Sequence, residues 1–282
     1  VSAFLLNRSS DLRLISAANQ DNTKLEVSDD NMAPAEASHE SQHIPVEIKS
    51  NDEELSEESI QIAIRNGFIR KVYSILSVQL IITFGCVFLF QLETLKLFIM
   101  QHQQFAANIL MFCSFTFLVL FLILVCNRNL ARTVPCNYIY LFAITICESL
   151  ACSIISSLYS FQIVATALAL TIVSTLVITF YACTTKTDFS YYRVGMFILF
   201  SQIFMIGLIA ALFRLDGLYT FYTFLMTIMV GFYLVYDTQL IMGKFGVAYS
   251  VDDYIFATLE IYMDIIRLFL LILRILGRNR RN

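Results

Sequence analysis

The sequence has no tryptophan, three prolines and three histidines among its 282 residues. The histidines are His39, His43 and His102, and none of them lies within a long apolar run. A catalytic zinc ion needs several such ligands together, so no zinc centre is available within the apolar part of the chain. No Gly-x-Ser-x-Gly motif of a serine hydrolase occurs either. These absences argue against a membrane hydrolase, and we expect no enzymatic activity, no cofactor and no resident metal ion.

Cysteine is present, but not in paired motifs. The seven cysteines lie in or beside apolar segments, and none forms a Cys-x-x-Cys pair. This placement predicts small apolar packing residues rather than a disulfide framework or a zinc site.

Charge is divided unevenly along the chain. Residues 1–60 carry four basic and thirteen acidic residues, whereas the remainder carries fifteen basic and nine acidic residues. The first part is rich in Ser, Asn, Asp and Glu and has few large apolar side chains, so it cannot bury enough surface to offset its ordering entropy. We predict a disordered acidic tail over residues 1–64, followed by a membrane domain over residues 65–282.

Long apolar runs dominate the rest of the chain, and apolar residues make up 58% of the whole. Each run is about 19–25 residues long, which at ~1.5 Å per residue is enough to cross ~30 Å of hydrocarbon. Several connections are very short, which favours antiparallel neighbours in one bundle. The sequence therefore predicts an all-α membrane protein with seven transmembrane helices. The predicted spans are residues 72–90, 105–126, 138–158, 161–182, 194–213, 218–242 and 254–276.

Basic residues indicate the orientation of these spans, because cytosolic loops carry an excess of Lys and Arg. The connections on the amino-terminal side of the membrane hold eight such residues, and the opposite connections hold only Lys96 and Arg214. A cytosolic amino terminus follows. Arg278, Arg280 and Arg281 conflict with seven crossings, so the last segment either crosses despite this basic end or re-enters the cytosol.

Ionisable residues inside the spans are the strongest candidates for function, because each is costly in lipid unless it is paired or hydrated. The short connection over residues 243–250 makes the sixth and seventh spans a hairpin. Asp237 then lies roughly 8 Å below the membrane surface and Asp264 roughly 15 Å below it. The two carboxyl groups can meet, and in a medium of low dielectric they cannot both ionise cheaply. Loss of a shared proton would push the helices apart and admit a cation.

The other charged residues of these spans have two interpretations. Glu260, Asp264 and Arg267 share one face of the last helix, where they form either a functional cluster or a structural polar network in which Arg267 neutralises Asp264. Glu148, in the third span, either lines the same cavity or bonds to neighbouring hydroxyl groups. Spacing alone leaves these alternatives open.

Five motifs resemble those of the Bax-inhibitor/Lifeguard transmembrane family, and the resemblance covers residues 65–280. The two late motifs are the most specific. The motifs are Gly231-Phe-Tyr-Leu-Val-Tyr-Asp237-Thr-Gln-Leu-Ile-Met-Gly243; Asp252-Asp253-Tyr254-Ile-Phe-Ala-Thr-Leu-Glu260-Ile-Tyr262-Met-Asp264-Ile-Ile; Val134-Pro135-Cys-Asn137-Tyr138 with downstream Glu148; Thr185-Lys186-Thr-Asp188-Phe189; and Arg70-Lys71-Val-Tyr73 with Gln79-Leu80.

The resemblance implies a bundle with the last helix near its centre, a calcium leak from internal stores and protection from cell death. It implies that Asp237 and Asp264 are the pH-sensing pair. From their position in the spans, we expect Glu148, Glu260 and Arg267 to line or modulate the pore. The family usually has Asn where this chain has Glu260, and a neutral residue where it has Arg267. Arg267 would hold Asp264 ionised and weaken a proton gate.

Two functions of different classes therefore remain after the sequence alone. One is a pH-sensitive calcium leak in the endoplasmic reticulum or Golgi membrane that restrains apoptosis. The other is a non-conducting regulator that binds partner membrane proteins. The expected partners are calcium ions, protons, the lipid bilayer and apoptosis-related membrane proteins, with no nucleic acid.

Overall fold

The structure is a computed structural model that describes residues 47–246 and 249–279. These residues form nine helices and short 3₁₀ turns, with no strand among them. The helix boundaries follow the apolar runs closely, because each run ends at a polar or glycine-containing connection. The helices are α1 (Glu47–Leu89), α2 (Glu93–Gln101), α3 (Gln103–Cys126), α4 (Arg128–Arg132), α5 (Cys136–Ser157), α6 (Phe161–Thr184), α7 (Arg193–Leu212), α8 (Asp216–Met242) and α9 (Tyr254–Asn279).

The first helix begins earlier than the sequence suggested. It is continuous from Glu47 to Leu89, so residues 47–64 are helical and the predicted disorder over 1–64 is not confirmed. The segment is rich in glutamate, which has good helix propensity and is stabilised near a helix amino terminus. Composition identified the polarity of this segment but not its helicity. Residues 1–46 lie outside the described part of the chain.

Six helices of the described chain are long and apolar enough to cross a membrane. They are α1 from Ser59, α3, α5, α6, α7 (with the 3₁₀ turn before it) and α8, and they match the first six predicted spans. The seventh predicted span corresponds to α9, which has 26 residues but carries Glu260, Asp264, Arg267 and Arg274. By length and composition alone, the seventh crossing is therefore not established.

The last helix occupies the interior of the bundle. Nearly every residue from Tyr254 to Phe269 is buried or half-buried, with Arg267 as the exposed exception. Helix α9 packs against α5, α6 and α8. At its far end, Arg278 Nη1 donates to the main-chain oxygen of Asp216, the first residue of α8, at 2.8 Å. Because α9 follows α8 back along its whole length, their polar residues meet inside the bundle.

The connection between α8 and α9 is fixed by Arg65 of α1. Its guanidinium donates to the main-chain oxygens of Leu240 and Tyr249, on either side of the connection. Gly243 ends α8 in the left-handed conformation, with φ at 68°, and a Cβ atom there would lie 2.9 Å from Nε of Arg65. Glycine suits both requirements, since it has no Cβ and adopts positive φ at little cost.

Candidate functional site

Asp237 of α8 and Asp264 of α9 lie together in the interior of the bundle. Their side chains are in hydrogen-bond contact, and each residue is no more than 7% exposed. Two carboxylates cannot hydrogen-bond to each other without a proton, because both are acceptors when ionised. A hydrogen bond between these two carboxyl groups therefore requires that the pair hold a proton.

Arg267 is the nearest positive charge to this pair. Its Nη1 lies 3.8 Å from Oδ1 of Asp264, one turn away on the same helix, and its side chain is 51% exposed. That separation is too long for a hydrogen bond but short enough for Coulomb attraction. The other Asp264 oxygen, Oδ2, is buried and has no donor among the described residues. Arg267 thus acts on the pair through its charge rather than by clamping it.

Glu260 lies one turn before Asp264 and is half-buried. It is close enough to Asp237 and Tyr236 for its charge to act on both. The hydroxyl of Tyr236 also hydrogen-bonds to Arg193, at the start of α7. The charged face of α9 therefore continues, through Tyr236, to the amino-terminal end of α7.

Glu148 lies on α5, a helix that packs against α9. It is half-buried, and the charge of Arg267 acts on it. Arg267 consequently has acidic residues on two sides, Asp264 on its own helix and Glu148 across the bundle. The structure brings Asp237, Glu260, Asp264 and Arg267 together, with Glu148 on a neighbouring helix within electrostatic range of Arg267. The roles of all five residues in sensing or conduction stay predictions.

A second ionic contact closes the end of the bundle where α9 begins. Arg132 of α4 binds Asp253 in two places, with Nε to Oδ1 at 2.8 Å and Nη2 to Oδ2 at 3.1 Å. The hydrogen bond that Arg132 donates to Asp253, together with the negative charge of Asp253, raises the pKa of Arg132 above its usual value. Asn137 adds a 2.7 Å hydrogen bond from Nδ2 to the hydroxyl of Tyr254. These bonds fix the start of the helix that carries Asp264.

The sequence analysis missed the polar residues that surround the charges. Arg193 was used only to orient the chain, and Tyr236 only as part of a motif. Their side chains meet because α7 packs on α8, a tertiary contact that no spacing within one helix reveals. The sequence signal that could have identified Tyr236 is its position directly before Asp237, an aspartate within an apolar span.

Six apolar helices of membrane-spanning length, packed around a last helix that carries ionisable residues, define a multi-pass membrane protein. Residues 65–281 match the family described as "Inhibitor of apoptosis-promoting Bax1". The chain belongs to this Bax-inhibitor/Lifeguard family, which confirms the resemblance seen in its motifs. The family and its relatives are consistent with a role in apoptosis regulation.

Curated relatives support the same assignment. The chain is 32% identical over 221 residues to "Protein lifeguard 3" of Homo sapiens, covering 76% of this chain and 69% of that protein. It is 31% identical over 222 residues to "Protein lifeguard 3" of Mus musculus, covering 76% and 70%. It is also 31% identical over 220 residues to "Protein lifeguard 4" of Mus musculus, covering 77% and 87%.

Proposed function

We propose that this protein is a pH-sensitive calcium leak channel of the endoplasmic reticulum or Golgi membrane and a negative regulator of apoptosis, with a cytosolic amino terminus. The observation that carries the proposal is the buried contact between Asp237 and Asp264 across the α8–α9 hairpin. The proposal also takes α9 as a seventh crossing, because α9 runs the whole length of α8.

The gate works through the proton of the pair. With the proton present, the two carboxyl groups hydrogen-bond and hold α8 against α9. When it leaves, two negative charges about 4 Å apart repel each other by roughly 4 kcal/mol at an effective dielectric of about 20. Such a repulsion is comparable to the few kcal/mol that separate two conformations of a protein, and so is enough to shift their populations. The helices then part, and the negative pair attracts a calcium ion.

Arg267 lowers the net repulsion between the two ionised carboxylates. Its charge lies 3.8 Å from Asp264 and so offsets part of the repulsion. The same charge favours the alternative function, a non-conducting regulator of cell death that binds partner membrane proteins. A fixed cation beside the pair repels calcium, so the balance between Arg267 and its acidic neighbours decides between the two functions.

Calcium flux from proteoliposomes tests the proposal. Purified protein is reconstituted with a calcium indicator, and flux is measured between pH 5 and 8. We expect flux above that of empty liposomes, rising as the pair loses its proton. Asp237→Asn and Asp264→Asn should each remove the pH response, whereas the matched control Asp252→Asn, an exposed residue before α9, should keep it. No flux above empty liposomes for the unaltered protein would favour the non-conducting regulator.

A further inference from the structure

A cavity of about 360 Å³ lies at the end of the bundle where α8 begins and α9 ends. It is separate from the aspartate pair, because Asp264 comes ten residues before Arg274 and therefore lies ~15 Å away along α9. Its volume falls within the range of small-ligand sites, roughly 300–1,000 Å³. The lining residues that determine its chemistry are Tyr159, Asp216, Tyr219, Thr223, Arg274 and Arg278.

Two arginines of α9 supply the positive charge of this cavity. Arg274 and Arg278 are four residues apart, so they share one face of the helix and lie ~6 Å apart along its axis. Arg278 Nη1 donates to the main-chain oxygen of Asp216 at 2.8 Å, which occupies one of its N–H groups. The Arg274 guanidinium lies over the ring of Tyr219, 5.2 Å from the ring centre. Among the described residues, Arg274 has no hydrogen-bond acceptor and no ionic partner.

Tyrosine hydroxyl groups add further donors to the cavity. Thr223 Oγ1 donates to the main-chain oxygen of Tyr219 at 2.8 Å, so its proton is directed into α8 and not toward a ligand. The hydroxyl groups of Tyr159 and Tyr219 have no hydrogen-bond partner in the part of the chain that the structure describes, and each can donate a proton. The groups available to a ligand are therefore mainly donors.

The net charge of the cavity favours an anion. Asp216 is the acidic residue of the lining, and it is exposed, so solvent screens its carboxylate. Two arginines against one aspartate leave an excess of positive charge. A phosphate group complements this arrangement, since it has several acceptor oxygens and a planar guanidinium group binds two of them at once.

The position of the cavity indicates that the phosphate belongs to a lipid. Asp216 is the first residue of α8, one of the helices long and apolar enough to cross a membrane, so the cavity lies where that span begins. Head groups occupy a layer roughly 5–8 Å thick beyond the hydrocarbon, which suits a polar cavity at this depth. Apolar side chains within four residues of the lining are more than half exposed and give acyl chains a surface to cover. They are Leu158, Phe161, Leu212, Phe213 and Phe221.

We propose that this cavity binds the phosphate group of an anionic phospholipid, with the guanidinium groups of Arg274 and Arg278 as its principal donors. Tyr219 positions Arg274 through the contact between its ring and the guanidinium. Because Asp216 and Tyr219 belong to α8, the bound lipid joins α8 to α9 at the end opposite their connection. Lipid binding requires no ion conduction, so this inference does not rest on the proposed function.

Native mass spectrometry of the full-length protein in neutral detergent tests the site, because a bound lipid is identified by its mass. Phosphatidic acid is titrated as the probe, with phosphatidylcholine and inorganic phosphate as comparisons. We expect phosphatidic acid to bind more tightly than phosphatidylcholine, whose choline cation the arginines repel. Arg274→Gln and Arg278→Gln should each raise the dissociation constant of phosphatidic acid by about tenfold, the loss of one charge-assisted contact.

Three further variants separate a specific site from general charge and from misfolding. Arg214→Gln removes the same charge from an exposed residue between α7 and α8 that does not line the cavity, and should leave the affinity nearly unchanged. Arg274→Lys keeps the charge but not the planar fork, so its affinity should be intermediate. Asp216→Asn removes the opposing charge and should tighten binding, a gain that a misfolded variant would not show.

Two results would overturn the inference. Phosphatidic acid that binds Arg274→Gln and Arg278→Gln as tightly as the unaltered protein, or that is weakened as much by Arg214→Gln, would show attraction to charge in general. Inorganic phosphate that binds as tightly as phosphatidic acid would overturn the lipid as the source of the phosphate. Calcium flux separates the two proposals: protein that binds the lipid through these arginines but conducts no calcium supports this inference while the proposed channel fails.

Discussion

The carboxyl groups of Asp237 and Asp264 touch inside the bundle, although one belongs to the end of α8 and the other to the middle of α9. Residues in such contact do not respond independently to substitution. Combined substitutions of Asp237 and Asp264 therefore test their contact directly, without a structure of the bundle in which the two helices have parted.

We predict that the two aspartates act as a single titrating unit. Asp237→Asn and Asp264→Asn should each abolish the pH response of calcium flux, and the double variant should be no worse than either single one. The physical reason is that a neutral amide hydrogen-bonds to its partner whether or not a proton is bound. A double-mutant cycle of flux at pH 6 and 7.5 measures the coupling. Additive losses would contradict the prediction.

A second prediction concerns Arg267, whose charge lies 3.8 Å from Asp264. Arg267→Asn removes a charge that stabilises the ionised pair, so the proton is held more tightly. The pH at which flux is half-maximal should therefore move upward, and the pH response should become steeper. Flux measured across the pH range in proteoliposomes gives both quantities.

Two variants control for this effect. Arg267→Lys keeps the positive charge and should leave the midpoint nearly unchanged. Arg274→Asn removes a charge from the same helix two turns away, where the guanidinium lies over the ring of Tyr219 at 5.2 Å. A shift as large in Arg274→Asn as in Arg267→Asn would mean that total charge, and not proximity to Asp264, is responsible.

A third prediction concerns the ionic contact between Arg132 and Asp253. Arg132 is 40% exposed and Asp253 13%, so solvent screens the pair and its contribution to stability is about 1 kcal/mol or less. Arg132→Ala should lower the thermal unfolding midpoint in detergent by a few degrees. The exchanged pair, Arg132→Asp with Asp253→Arg, should recover part of that loss.

The neighbouring Asp252→Ala serves as its control. Asp252 is exposed, and its removal should change the free energy of unfolding by less than about 0.5 kcal/mol. If Asp252→Ala costs as much as Arg132→Ala, local helix capping rather than the ionic contact stabilises the start of α9.

A fourth prediction concerns the close packing of α9 at its far end. A methyl group on Gly277 would overlap the ring of Tyr159, in the connection between α5 and α6. Gly277→Ala should destabilise the protein by about 1–3 kcal/mol, the usual cost of overpacking. Thermal unfolding in detergent measures the change.

Gly67 of α1 provides the matched control, because a Cβ there has no neighbour within 4 Å. Gly67→Ala should be neutral or stabilising by up to about 1 kcal/mol, since alanine favours a helix more than glycine does. Equal destabilisation at both positions would show that glycine-specific backbone freedom matters, and not contact with Tyr159.

Helix positions were largely predictable from the sequence. The apolar runs coincide with helices of the described chain to within a few residues, because exclusion of unpaired backbone groups from lipid leaves the helix as the local solution. Two features escaped this reasoning. The short helices α2 and α4 have no membrane-length run, and α1 extends into the acidic segment as far as Glu47 because charged residues support a helix without apolar periodicity.

The candidate site was predictable only in part. The hairpin spacing and the motifs singled out Asp237 and Asp264, since depth along a helix follows from residue count. They did not reveal Arg193, nor the buried side-chain hydrogen bonds that join α1, α5 and α9, because these partners come from helices far apart in the chain. Gln79 and Thr145, for example, belong to α1 and α5, and nothing in the intervening sequence specifies their 2.8 Å contact.

By itself the sequence determined a family, a helical membrane protein and a pair of aspartates at comparable depth, because hydrophobic length and helical rise are local properties. The tertiary structure alone decided which helix faces meet. It brings Asp264 into contact with Asp237, places Arg267 near the pair at 3.8 Å without a hydrogen bond to it, and packs Tyr262 against α1 and α5. Which side chains share a buried space depends on how helices pack, and packing is a property of the whole bundle.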